Sequence, residues 1–142
     1  MNDSATRGQG LDLRLRREAL RVASQHHQLD QFHEVFESAL ARGDVHSAQQ
    51  SFARFADALE AHFQLEEQVY FPALHGRDVA AASELGELVR EHDAVRGAVE
   101  EIHTTLKKRD LVGCDALLSA WLPRLVLHER REEALMAREV GS

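Results

Sequence analysis

Four long stretches of this chain place apolar residues at alternating steps of three and four, a spacing that keeps one stripe of a helix facing a neighbouring helix. The first reads Val22, His26, Leu29, His33, Phe36, Leu40, and the second Phe52, Phe55, Leu59, His62, Glu66, Val69. The third reads Leu85, Leu88, His92, Val95, Val99, Ile102, Leu106, and the fourth Leu118, Trp121, Leu125, His128, Glu132, Leu135. Breaker residues separate them. Arg42-Gly43-Asp44 reads as a helix stop followed by an N-cap, Pro72 to Asp78 as a second connection, and Lys107 to Asp115 as a third. Short connections between long helices make neighbours antiparallel, so the expected fold is all-α, an up-down-up-down four-helix bundle over residues 11–140. Residues 1–10 read as a disordered or loosely attached N-terminal tail. Pro123, inside the fourth stretch, is expected to kink or loosen the preceding turn.

The seams carry an abnormality. Each is interrupted by histidine, and two add a glutamate four residues later, as His62/Glu66 and His128/Glu132. That spacing puts both side chains on one helix face. Burying an unpaired imidazole or carboxylate costs several kcal/mol, and a cation offsets that cost by pairing with the acceptors. In antiparallel neighbours, residues at equal height are equidistant from the turn that joins them. Midway between His26 and His62 lies Asp44, inside the first turn; midway between His92 and Glu132 lies Val112, and between His92 and His128 Asp110, both in the third. Across the second connection, His92 pairs with Gln64 about Asp78. His26, His62, Glu66, His92, His128 and Glu132 are therefore expected to share one layer.

Four imidazoles and two carboxylates suit two metal ions with each glutamate bridging, iron being favoured over zinc or manganese. A hydrogen-bonded polar layer is the alternative. Of the other histidines, His33 lies on a seam and reads as core or as a support behind the ligands, with ligation the lesser reading; His27 reads as surface or support, and His46, His75 and His103 as surface. Tyr70 reads as packing at the core edge or as a hydrogen-bond donor to the cluster. Glu67 and Glu133 follow the bridges and should point off the seam, either behind the ligands or at the surface, Glu139 should be solvated, and Arg96 either meets an anion beside the site or snorkels outward.

Composition narrows the partners. Seventeen Lys+Arg against twenty-four Asp+Glu leave a net charge of −7, and the one basic stretch, Arg14 to Arg21, is interleaved with Leu and Glu, which argues against nucleic acid. The first ten residues lack the apolar core of a secretion signal, and no seam reads as a membrane span. A single cysteine, Cys114, excludes an internal disulfide and suits a reducing cytoplasm.

The sequence resembles the hemerythrin-like (HHE cation-binding) family. The resemblance is carried by Gln25-His26-His27-Gln28-Leu29, by His62-Phe63-Gln64-Leu65-Glu66-Glu67 running on to Tyr70-Phe71-Pro72, by Glu91-His92, and by His128-Glu129-Arg130-Arg131-Glu132-Glu133, over roughly residues 20 to 138. It implies ligation of two iron ions, oxo- or hydroxo-bridged, by His26, His62, Glu66, His92, His128 and Glu132. One departure stands out: oxygen-carrying hemerythrins have H-x-x-x-H in the third helix, whereas here Leu88 and Arg96 flank His92. The expected function is binding of a small exogenous ligand (dioxygen, peroxide, nitric oxide or an azide-like anion) as a carrier, store or sensor, a sensor needing a protein partner. The missing histidine opens two alternatives: a redox enzyme acting on peroxide or nitric oxide, and a protein that stores iron or repairs iron centres. Leu29, Leu59, Leu88, Val95, Leu125 and Leu135 are the residues expected to keep water from the bound ligand.

Overall fold

The computed structural model describes residue 17, residues 24–76 and residues 79–140. The expected tail over 1–10, the start of the bundle at 11, Val22 and Asp78 lie outside the described residues. Helix α1 occupies 24–41, α2 Val45–Leu65, and a π-helical turn Glu66–Tyr70 runs straight into the short α3, Phe71–His75. Helices α4, Val79–Lys107, and α5, Leu111–Val140, complete the chain. No strand occurs among the described residues, and the architecture is an all-α bundle.

Cross-helix contacts fix the register. His26 meets His62 at 3.0 Å, and the Phe36 and Phe52 rings lie 5.1 Å apart; both pairs are centred on Asp44. Arg138 binds Glu84 at 2.9 Å and Glu91 binds His128 at 2.5 Å, both centred close to Asp110. Gln49 donates to the Leu106 carbonyl and Arg96 to Glu60, both centred close to Asp78. The helices are antiparallel at heights that the turn positions predict.

Two turns use the same device. At the end of α1 the Gly43 and Asp44 amides return to the Leu40 and Ala39 carbonyls, closing the helix around Gly43 at φ 68. Asp44 then caps α2, its carboxylate accepting from the Ser47 amide at 3.1 Å. Between α4 and α5 the Arg109 and Asp110 amides return to Leu106 and Thr105, and Asp110 accepts from the Gly113 amide at 2.9 Å. The third connection is thus shorter than Lys107 to Asp115, because Asp110 starts the next helix. Here the left-handed position, φ 60, is held by Arg109. Glycine has no Cβ to clash there, so Arg109→Gly is expected to stabilise the fold by about 0.5–1 kcal/mol and raise Tm by about 2 °C. A lower Tm in a thermal melt would contradict this reading of the turn.

The second stretch departs from its expected seam. The Phe71 amide reaches back five residues to the Glu66 carbonyl, and Pro72 beyond it has no N–H to give the preceding turn. The wider turn shifts the phase by one residue. Tyr70 is buried at 1% exposure, and Val69, expected on the seam, is 41% exposed. The chain stays helical through Pro72 to His75, so the second connection is shorter than expected. Helix α5 likewise continues through Pro123.

Two apolar clusters fill the bundle. One packs Phe36, Phe52, Phe55, Ile102, Leu106 and Leu118; the other packs Tyr70, Phe71, Leu74, Leu85, Leu88 and Leu135. A polar layer lies between them. By length and composition alone Leu111–Glu139 is apolar enough to cross a membrane, which corrects the expectation that no seam reads as a span. That helix carries His128 and Glu132 into the polar layer, where both are buried.

Candidate metal centre

The structure brings all six expected side chains together. His26 comes from α1, His62 from α2, Glu66 from the first residue of the π turn, His92 from α4, and His128 and Glu132 from α5. None is more than 4% exposed. Glu132 lies at the centre: His26 Nε2 is 3.2 Å from Oε2 and His62 Nε2 3.6 Å from it, while His92 Nε2 is 3.1 Å from Oε1, which also touches His128 Nε2. Glu66 Oε1 faces His62 Nε2 at 3.1 Å and His92 Nε2 at 3.3 Å. The donors divide into His26, His62, Glu66 and Glu132, and Glu66, His92, His128 and Glu132, each set with its donor atoms within 4.8 Å of one another. Both carboxylates belong to both sets.

Each of these four histidines turns its Nε2 inward, and its Nδ1–H is held from outside. His26 donates to Glu133 at 2.9 Å, His62 to Gln25 at 2.6 Å, His92 to Glu67 at 2.6 Å and His128 to Glu91 at 2.5 Å. An outer acceptor of this kind fixes the tautomer and orientation of a metal-ligating imidazole. Glu67 and Glu133 point off the seam, as expected, yet reach across to a histidine on another helix. Gln25 and Glu91 had no expected role; their position one residue before His26 and His92 was the available signal.

Imidazoles and carboxyls in the layer shift one another's protonation. Burial pushes the imidazoles down, but the neighbouring Glu132 and Glu66 carboxyls outweigh it, holding His62 up at about 9 and His92 at about 10. His26 and His128 are raised for the same kind of reason, Glu132 leading on both. Burial and the adjacent Glu132 push Glu66 up, whereas Glu132, although buried, is held well below the usual carboxylate range by Glu66 and the imidazoles around it. In this form the layer holds protons that a cation would displace.

The donor set fits a cation. Glu66 Oε2 is buried without a hydrogen-bond partner, and Glu66 Oε1 and His128 Nε2, although in contact with neighbouring imidazole and carboxylate atoms, make no well-directed hydrogen bond, an arrangement costly for a merely structural layer. Four imidazole nitrogens and two shared carboxylates match the borderline preferences of iron and zinc.

The remaining candidates fall elsewhere. His27, His46, His75 and His103 are exposed. Arg96 binds Glu60 at 2.8 Å, Asp93 at 3.0 Å and Glu67 at 3.0 Å, so it reaches the layer only through Glu67. Glu139 is buried, not solvated, beside Arg138 on the same helix. His33 borders a cavity of about 40 Å³, also lined by Leu29, Leu59, Val95, Trp121 and Leu125, and its Nε2 is buried without a partner. Leu29 and Val95 lie three residues after His26 and His92, and Leu59 and Leu125 three before His62 and His128, so the cavity adjoins one side of the layer. Leu88 and Leu135, expected beside the same ligand, belong to the cluster on the other side. That side is closed by Phe71, stacked on His92 at 5.6 Å. Glu129, which also lines the cavity, is pushed up to about 7 by burial.

Among known proteins, the family model described as the hemerythrin HHE cation binding domain matches residues 20–140. No curated protein and no solved structure gives a significant match.

Proposed function

The chain belongs to the hemerythrin HHE cation-binding domain family, and we propose that it is a non-haem di-iron protein that binds dioxygen or a related small ligand as a carrier, store or sensor. One observation carries this reading: two donor sets share both buried carboxylates, the arrangement that two bridged ions require. Iron bound there would supply a ferrous–ferric couple and an open coordination position.

The chain's own residues define the rest. His26, His62, His92 and His128 present Nε2, Glu66 and Glu132 span the two positions, and the four outer acceptors hold each ring in place. The largely apolar cavity, with His33 and Glu129 at its lining, gives a small ligand a place beside the layer. A volume of about 40 Å³ holds a molecule of a few atoms; an engineered cavity that takes benzene is roughly 150 Å³. Ligands of the size of dioxygen, nitric oxide or peroxide fit this space.

A redox enzyme acting on peroxide or nitric oxide is the second reading, favoured by the absent fifth histidine. Leu88 is buried and apolar, and the Arg96 guanidinium is engaged by three carboxylates, so neither supplies a ligand in its place. Protein purified from iron-supplemented cells is expected to carry about two irons per chain and to gain a visible absorption band with azide. Iron well below that ratio, or an azide spectrum without a new band, would refute the di-iron reading. Sustained gas evolution from added peroxide would favour the enzyme over the carrier.

A further inference from the structure

The four imidazoles are not supported equally. On His92, Nδ1–H donates to Glu67 Oε2, and Arg96 reaches that same oxygen at 3.0 Å. Arg96 is itself braced by Glu60 and Asp93 and lies 5.4 Å over the Phe63 ring, which stacks on His92 at 3.9 Å. On His128, Nδ1–H donates to Glu91 Oε2, and Arg131 holds the other Glu91 oxygen while pairing with Glu87 at 2.8 Å. Each ring of this pair rests on a carboxylate that an arginine pins.

The other pair is built differently. His62 donates to the neutral amide oxygen of Gln25, and His26 to Glu133, which is 49% exposed and has no arginine or lysine on it among the described residues. A carboxylate draws on the Nδ1 proton and makes Nε2 a stronger donor; a neutral amide does so less, and an exposed carboxylate is free to swing away. The arginines withdraw some charge from Glu67 and Glu91, but they are partly exposed and lie one group further out, where solvent weakens that effect. Fixing the ring at contact distance is the larger influence.

We propose that Arg96 and Arg131 are positioning residues that, through Glu67 and Glu91, make the His92–His128 end of the layer the tighter of two unequal cation positions, filled first and emptied last. The inference rests on the two-ion reading above. Because both positions share Glu66 and Glu132, the first cation weakens binding of the second wherever it sits. Unequal steps alone therefore prove nothing, and the order of filling decides.

Zinc, added to the metal-free full chain and followed by NMR of the histidine rings, provides the test. The first equivalent is expected to shift His92 and His128 before His26 and His62, and a chelator to release them last. Arg96→Met and Arg131→Met should each weaken the first step several-fold, less than the roughly 10–100-fold expected for losing Glu67 or Glu91 itself, and affect the second step less, with lysine at either position restoring part of the loss. Gln25→Glu should strengthen the second step alone. Filling from His26 and His62, or arginine variants that weaken both steps alike, would overturn the inference. Saturation at one zinc would instead overturn the two-ion reading and, with it, the second position compared here; no zinc uptake would overturn the metal reading altogether.

Discussion

Glu132→Gln is expected to abolish stable binding at both cation positions. The exchange keeps the side chain's size and removes its charge, so packing is preserved while the shared ligand is lost. Glu132 is in contact with all four imidazoles, His26 at 3.2 Å and His92 at 3.1 Å among them. No other residue serves both donor sets so fully. Loss of a firmly held outer partner such as Glu67 costs about 10–100-fold in affinity, and loss of a shared ligand must cost more than that at each position. Isothermal titration with zinc on Glu132→Gln beside Glu67→Gln gives the comparison. The metal-free variant should also melt lower, because removing one member of a buried charged cluster costs about 3–5 kcal/mol. Two ions bound with unchanged affinity would show that the ligand set is wrong.

How much of this was legible in the sequence follows from what each feature depends on. The helices and their register depend on spacing along one chain and on turn positions, and so His26 could be matched with His62, and His92 with Glu132, by counting from Asp44 and Val112. The outer acceptors depend on how far a side chain reaches between helices. Glu67 and Glu133 read as pointing off the seam, which is true, but whether they end in water or on a histidine is set by interhelical distance and rotamer. The π turn escapes periodicity by its nature: one inserted residue moves Tyr70 inward and Val69 outward while the residues on both sides keep their pattern. Pro72 was the available sign, and it reads equally well as the end of a helix. Arg96 shows the same limit. Its place beside His92 was visible, but its commitment to Glu60, Asp93 and Glu67 was not.

The metal-free protein is expected to lose stability as pH rises from about 7 to about 10, while the zinc-loaded protein stays level. His62 is held up at about 9 and His92 at about 10, against an ordinary 6.5, despite burial that works the other way. A group whose folded-state pKa is raised binds its proton more tightly in the native state. The stability it contributes is complete below about 6.5 and is lost as pH rises through the folded value. The two imidazoles draw on the same two carboxylates and cannot both gain in full, so the combined loss is on the order of 3 kcal/mol. Glu132 acts at the other end of the scale: its carboxyl is held well below the usual range, so its contribution disappears only in acid. Zinc removes the alkaline loss because the ion takes the place of the protons and the imidazoles bind it in their neutral form. Thermal unfolding at pH 6.5, 8 and 10, with and without zinc, measures the difference, and metal-free Glu132→Gln should show a flatter alkaline profile because the main partner of the raised imidazoles is gone. A metal-free wild-type protein that melts higher at pH 10 than at pH 6.5 would mean that the layer is not held together by protons shared between these imidazoles and carboxylates.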